Sequence, residues 1–146
     1  MILAAVLLLP GGLSAQGAGG ALAKATNIRC SFSLMTVGTW GREQVEAKTK
    51  PANLTLEFDA INTDDGTAQL KANVGKYDII VRYAEGYLHF IQSFYNGPLY
   101  VTTVLDKKTA SGKLKAMHSR HEFTDFALVG ITSSPEQYLG ECEILK

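Results

Sequence analysis

The sequence predicts an all-β domain in which about eight antiparallel strands form a meander and close into a small barrel. Three observations predict this fold. Apolar and polar residues alternate with the period of two expected of strands, turn-forming residues interrupt the alternation roughly every ten residues, and no segment has the spacing of an amphipathic helix. A β-sandwich with neighbouring chain ends satisfies the same pattern and remains the alternative.

The composition is that of one folded domain without an excess of either charge. The chain has 146 residues, of which 46% are hydrophobic and 19% are charged, so it has the length of one domain and too few charges for a disordered chain. Its 14 basic and 14 acidic side chains balance. General nucleic-acid binding relies on a surplus of positive charge, and we therefore expect no nucleic-acid partner.

The first residues have the features of a secretory signal peptide. Residues 1–23 carry no charged side chain, and their apolar run at residues 2–9 is followed by small residues. This run is too short for a transmembrane span, which needs about 20 apolar residues. We interpret residues 1–23 as a signal peptide cleaved after Ala15 or after Ala23, and residues 24–146 as a single all-β domain without a transmembrane span. The protein is therefore expected to be exported, to a periplasm or to the extracellular space.

The first four strands follow from the alternation. Their inward-facing residues are Ile28, Cys30, Phe32 and Leu34; Leu54, Leu56, Phe58 and Ala60; Ala68, Leu70, Ala72 and Val74; and Ile79 and Val81. Polar residues mostly separate these positions, so that one face of each strand meets water and the other a shared core. Residues 62–66, with the sequence Asn-Thr-Asp-Asp-Gly, form the turn between the second and third strands.

The next two strands are predicted to form a hairpin around Asn96-Gly97, a dipeptide suited to a tight two-residue loop. The expected cross-strand pairs are Phe94 with Leu99, Gln92 with Val101, and Phe90 with Thr103. These residues share one mostly apolar face. Its polar members, Gln92 and Thr103, are candidate ligand-binding residues.

The last strands are predicted at residues 114–121 and 138–144, after a polar turn at residues 106–112. The irregular stretch 122–135 separates them. The only two cysteines, Cys30 and Cys142, fall on the inward parity of the first and last strands. In an oxidising compartment such a pair forms a disulfide, which stabilises by ~4–5 kcal/mol when it closes a loop of about 100 residues. This bond brings the two strands together and favours closure of the sheet.

The segment His118-Ser119-Arg120-His121 is the main candidate for chemistry. The parity of its strand turns His118 and Arg120 inward, where an arginine requires an anionic partner. That partner is either the carboxylate or phosphate of a bound ligand or a protein carboxylate; the nearest in sequence are Glu122, Asp125, Glu136 and Glu141. We therefore add His118 and Arg120 to the candidate ligand-binding residues. The alternative is a strand end whose polar residues are simply hydrated.

Other kinds of site have little support in the sequence. His118 and His121 have opposite parity on a strand, and the chain has no C-x-x-C, H-E-x-x-H or G-x-S-x-G motif, so we expect no metal, cofactor or catalytic residue. The first hypothesis is an exported binding protein for a small amphipathic or anionic ligand. The second is an exported protein-interaction module or inhibitor that uses surface tyrosines and residues 122–135. The third is an enzyme with His118, Arg120 or His121 at the mouth of the barrel.

Overall fold

The computed structural model describes residues 20–40, 44–124 and 134–146. Most of the predicted signal peptide (residues 1–19) and the central part of the predicted irregular stretch (residues 125–133) lie outside the described residues. The strands are β1 (Ile28–Trp40), β2 (Val45–Asn62), β3 (Thr67–Ala72), β4 (Gly75–Ala84), β5 (Tyr87–Ser93), β6 (Leu99–Lys108), β7 (Leu114–His121) and β8 (Glu136–Ile144). The described ranges contain no helix.

The eight strands form one antiparallel sheet that closes on itself. Each strand pairs with the next one in the chain, and β1 also pairs with β8. The predicted all-β meander is confirmed, and every strand has two hydrogen-bonded neighbours. The connections alternate between the two ends of the sheet. We call the end with the β1–β2, β3–β4, β5–β6 and β7–β8 connections the Arg120 end, and the opposite one the Leu22 end.

A disulfide joins the first and last strands, as predicted. Cys30 and Cys142 are bonded and fully buried, and their Cα atoms lie 4.0 Å apart at paired positions of β1 and β8. Close by, Gly140 pairs with Phe32 at a register shift in β1. A Cβ atom at Gly140 would lie 2.1 Å from the carbonyl oxygen of Ser31. Glycine therefore permits the close approach of the two backbones.

The hydrophobic core begins before β1. The side chain of Leu22 is only 1% exposed and packs in the same cluster as Ile28 and Cys142. The hydroxyl of Thr63 donates a hydrogen bond of 3.3 Å to the carbonyl oxygen of Ala23, which holds this segment against the β2–β3 turn. Leu22 thus closes one end of the core, although the sequence predicts it to be part of the signal peptide.

The β5–β6 hairpin differs from the prediction by one residue. Its loop has three residues, 95–97, because the backbone N–H of Phe94 donates to the carbonyl oxygen of Pro98 at 2.9 Å. Gly97 ends the loop with a φ of 114°, a conformation that favours glycine. All three predicted cross-strand pairs are therefore wrong. Phe90 pairs with Thr102, Gln92 with Tyr100, and Leu99 with Ser93.

Candidate functional site

The interior of the sheet contains a cavity of about 130 Å³ near the Arg120 end. Its apolar lining residues lie on β2 to β5 and are Leu56, Phe58, Leu70, Ile79 and Phe90. Its polar lining residues lie on β5 to β7 and are Gln92, Tyr100, Thr102, His118 and Arg120. The cavity therefore has one apolar wall and one polar wall.

The residues of the polar wall belong to two rows of directly paired residues, which also include Phe90 of the apolar wall and extend to β8. One row runs across β5 to β8 through Gln92, Tyr100, Arg120 and Glu136. The next row lies two residues farther from the Arg120 end along each strand and runs through Phe90, Thr102, His118 and Tyr138. Because side chains two residues apart on a strand share a face, the strand register alone brings these residues together.

Arg120 lies between two tyrosine rings. The central carbon of its guanidinium group is 5.2 Å from the ring centroid of Tyr100 and 5.3 Å from that of Tyr138. Its Nη1 atom lies 3.6 Å from a carboxylate oxygen of Glu136. One of the four protein carboxylates that the sequence offered as partners for Arg120 therefore forms the ion pair, and the aromatic faces add cation–π attraction.

The two tyrosines are tied to carboxylates as hydrogen-bond donors. The hydroxyl of Tyr100 donates to Glu122, and that of Tyr138 donates to Glu136 at 2.5 Å. Burial, followed by the hydrogen bond to the carboxylate, raises the pKa of both phenols to about 12. Both phenols therefore remain protonated at neutral pH. Two carboxylates and one guanidinium group thus belong to the same network.

His118 is buried and neutral. It is 4% exposed, with Nδ1 2.8 Å from the hydroxyl oxygen of Thr102 and Nε2 accepting a hydrogen bond of 3.4 Å from Nε of Arg120. Since Nε2 accepts, the proton is assigned to Nδ1, which donates to Thr102. Burial, and secondly the charge of Arg120, lower the pKa of His118 to about 4. Both ring nitrogens are therefore engaged by the protein.

The other two predicted ligand-binding residues have different positions. Gln92 lines the cavity, and among the described residues its side chain has no hydrogen-bonding partner. Thr103 lies on the outer face of the sheet, where its hydroxyl oxygen is 2.9 Å from Nδ1 of His89. The one-residue change in the hairpin register places Thr102 at the cavity instead.

The sequence pattern did not identify Tyr100 and Tyr138 as parts of the site. A usable signal was present for Tyr138, which shares the parity of the inward-facing Cys142 on its own strand. For Tyr100 there was none, because the predicted hairpin register turned Val101 and Thr103 inward and therefore Tyr100 outward.

Other possible sites have little structural support. His121 is exposed at the end of β7 and does not share the inner face with His118. In the part of the chain that the structure describes, no three His, Cys, Asp or Glu side chains form a group able to hold a metal ion. None of the described residues belongs to a helix that is long and apolar enough to cross a membrane.

Comparisons with protein-family models, with curated proteins and with solved structures found no match for this chain. The arrangement itself offers a small apolar chamber, a neutral amide at its wall, and a network of donors and acceptors that is already satisfied internally. Such a site is suited to binding.

Proposed function

We propose that this chain is an exported binding protein whose cavity holds a small, largely apolar, uncharged ligand or the corresponding end of an amphipathic molecule. The observation that carries the proposal is the cavity, with its apolar wall facing the polar rows of β5 to β7. Most ligand sites have this composition, with a few polar groups to fix orientation. Gln92 supplies such a group, because its amide is the lining side chain without a partner among the described residues.

The charges around the cavity favour an uncharged ligand over an anionic one. Arg120 forms an ion pair with Glu136, and Glu122 approaches the same network through Tyr100. An anion at Arg120 competes with Glu136 for the guanidinium group. It also lies close to the carboxylates of Glu136 and Glu122, which repel it. The proposal therefore keeps the amphipathic ligand predicted from the sequence and treats the anionic ligand as the alternative.

The size of the cavity limits the ligand. A volume of about 130 Å³ is below the range of roughly 300–1,000 Å³ typical of sites for drug-sized molecules. It is close to that of an apolar cavity of about 150 Å³ that accepts benzene. The ligand, or the part of it that is enclosed, is therefore expected to have the size of a small ring or a short branched chain.

Two features support export. Disulfides persist in oxidising compartments, and Cys30–Cys142 is fully buried between the first and last strands. The apolar, charge-free residues 1–23 have the composition of a secretory leader. We therefore propose a periplasmic or extracellular location.

An enzymatic role receives less support from the geometry. A general base works best with a pKa near the pH of the reaction. The pKa of His118 is lowered to about 4, and both of its nitrogens are engaged, by Thr102 and Arg120. His118 is thus a rigid part of the wall with little capacity to exchange protons at neutral pH.

The proposal is tested first by native mass spectrometry of the protein purified from its own source. We expect a co-purifying small molecule that is lost in Leu70→Trp, a substitution that fills the cavity from the apolar wall. The thermal unfolding of the variant is measured in parallel, so that a folding defect is recognised as such. A molecule retained by folded Leu70→Trp contradicts binding in this cavity.

A matched pair of probes tests the charge of the ligand. Isobutyramide and isobutyrate have the same shape, and only the second is an anion. In titrations followed by nuclear magnetic resonance, we expect isobutyramide to bind more tightly. Gln92→Leu is expected to lower the affinity for isobutyramide by about 2–10-fold, which corresponds to the loss of one neutral hydrogen bond. Tighter binding of isobutyrate refutes the uncharged ligand and restores the anionic one.

A further inference from the structure

Exposed apolar side chains are concentrated at the Arg120 end of the sheet. Among the described residues, the large hydrophobic side chains that are at least 56% exposed are Trp40, Val45, Val74, Tyr95 and Phe123. We call these five residues the apolar rim. They occupy or flank all four connections at this end, namely β1–β2, β3–β4, β5–β6 and the chain after β7.

The Leu22 end lacks such residues at its connections. The described turns at residues 63–66, 85–86 and 109–113 contain none of the exposed large hydrophobic side chains. These turns carry charged residues, including Asp64, Asp65 and Glu85, and charged residues also lie close to the rim in the sequence, at Arg42, Glu43 and Glu122. Single exposed apolar residues are ordinary on protein surfaces. The five most exposed of them lie at the connections of one end, whereas at the connections of the other end the exposed one is Tyr87, 51% exposed beside the β4–β5 turn. Among the described residues, exposed apolar surface is therefore concentrated at the Arg120 end.

The rim has the composition of a surface that enters lipid. Tryptophan, tyrosine and phenylalanine are the side chains that anchor proteins at the bilayer interface. The ring of Trp40 packs edge-on against that of Phe123, with centroids 5.4 Å apart, so these two anchors form a preassembled pair from separate parts of the chain. Tyr95 projects fully into solvent at the tip of the β5–β6 hairpin.

Charge complementarity separates a lipid from a protein as the occupant. Residues 87–105, the whole β5–β6 hairpin, contain no Asp, Glu, Lys or Arg. A hairpin of this kind enters an uncharged phase without the large cost of desolvating an ion. The side chains of the apolar rim also lie on separate connections at the end nearer the cavity, whereas a protein partner generally meets a contiguous patch with polar groups at its edge.

We infer that the apolar rim docks on an uncharged lipid bilayer, with its side chains in the interfacial layer and the Arg120 end of the sheet facing the lipid. The inference goes beyond binding in the cavity and does not require it. Because the five side chains of the rim are uncharged, and Arg42 and Glu43 between two of them have opposite charges, the docking depends little on ionic strength.

The single tryptophan of the chain is a natural reporter for this docking. We propose to measure quenching of Trp40 fluorescence by phosphatidylcholine vesicles that contain brominated lipid, using the protein as purified from its source. We expect quenching with a blue shift, unchanged by added sodium chloride. The double variant Val74→Ser/Tyr95→Ser is expected to lower the partition constant by about tenfold or more, since two apolar contacts are lost.

A matched control distinguishes the rim from apolar surface in general. Ile80 and Leu139 are 46% and 47% exposed on the outer wall of the sheet. The variant Ile80→Ser/Leu139→Ser is therefore expected to bind vesicles as the original chain does. Equal loss in the two double variants overturns the inference.

Moving the reporter tests the orientation. In Trp40→Phe/Tyr87→Trp the tryptophan lies at the Leu22 end, where we expect little quenching. Stronger quenching there than at position 40 overturns the inference, because it assigns the lipid contact to the opposite end or to residues 1–19. Absence of vesicle binding, together with photo-crosslinking of position 95 to a protein, overturns it in favour of a protein partner. Titration of the cavity with isobutyramide without vesicles keeps the two proposals separate.

Discussion

Leu22 is the first buried core residue in the described part of the chain, and Leu22→Ala tests its contribution to stability. Its side chain is 1% exposed in the main hydrophobic cluster, so the substitution removes three fully buried carbon groups. At about 0.8 kcal/mol for each group, the lost transfer free energy is roughly 2.4 kcal/mol. The cavity left behind raises the range for leucine to alanine to about 2–5 kcal/mol. We expect a loss within that range from a total free energy of unfolding of about 5–15 kcal/mol.

The assay is guanidinium chloride unfolding followed by circular dichroism, with the disulfide intact. Leu139→Ala is the matched control, because it makes the same chemical change at a side chain that is 47% exposed. The control is expected to cost less than about 1 kcal/mol, since solvent already covers much of that side chain. If Leu22→Ala and Leu139→Ala lower the midpoint equally, Leu22 is not a core residue of the folded protein.

The same residue bears on the processing of the chain. A chain that begins at Gln16, after cleavage behind Ala15, keeps Leu22. A chain that begins at Lys24, after cleavage behind Ala23, loses it and is expected to be at least as unstable as Leu22→Ala. Of the two predicted cleavage positions, only the one after Ala15 leaves the buried Leu22 in the processed chain. The intact mass of the protein purified from its source decides between them, and a fully stable product that begins at Lys24 refutes the reasoning.

Two further predictions concern protonation and backbone contact. The pKa of His118 is lowered from 6.5 to about 4, so the unfolded chain binds more protons than the folded chain between these pH values. The contribution of His118 to the free energy of unfolding is therefore fully present above pH 6.5 and falls by about 3 kcal/mol as the pH decreases to 4. His118→Gln is expected to flatten this slope in urea unfolding at several pH values, and an unchanged slope refutes the assignment. Gly140→Ala places a Cβ atom 2.1 Å from the backbone of Ser31 and is expected to cost more than about 3 kcal/mol or to prevent folding. Gly38→Ala, whose Cβ atom meets no neighbour closer than 3.9 Å, is the control in the same thermal unfolding assay, and equal losses contradict the prediction.

The inward face of the sheet was predictable from the sequence only where the local alternation is unbroken. The prediction was wrong for Leu34, Ala60, Ala72 and Val74, which are exposed, and register shifts in β1 and β2 occur at the first two. Ile28, Cys30 and Phe32 are buried as their parity predicts, and the disulfide follows from the same parity on the first and last strands. Each of these predictions needs only the two-residue period of a strand. The burial of these residues and the disulfide could both be predicted without knowing the register between distant strands.

The error at the β5–β6 hairpin has a physical reason that the sequence contained. A two-residue loop at Asn96-Gly97 needs the backbone N–H of residue 98 to bond the carbonyl group of Tyr95. Residue 98 is proline, which has no N–H. In the structure Pro98 only accepts, from Phe94, and the loop gains one residue. This shift of one position exchanges Thr103 for Thr102 at the cavity, because each step along a strand reverses the face.

The partner of Arg120 shows where local reasoning ends. The strand parity predicted an inward arginine and the need for a carboxylate, and it left four candidates. The choice of Glu136 depends on the pairing of β7 with β8, where the two residues lie directly opposite each other. No local pattern determines that register, because residues 122–135 separate the strands. The consequence is functional, since an arginine already matched by a carboxylate no longer requires an anionic ligand.

The distribution of polar groups along the axis links the cavity to the rim. Near the disulfide the interior rows are apolar, with Leu88, Val104 and Ala116 buried at paired positions. Toward the Arg120 end, the next interior rows are the two polar rows that contain His118 and Arg120. The exposed side chains of the apolar rim lie beyond these rows. Interior ionic groups generally cost desolvation that well-packed apolar side chains avoid. Stability alone does not explain why an interior ionic network and exposed aromatic side chains occur at the same end. The proposed uptake of an apolar molecule from lipid accounts for both features.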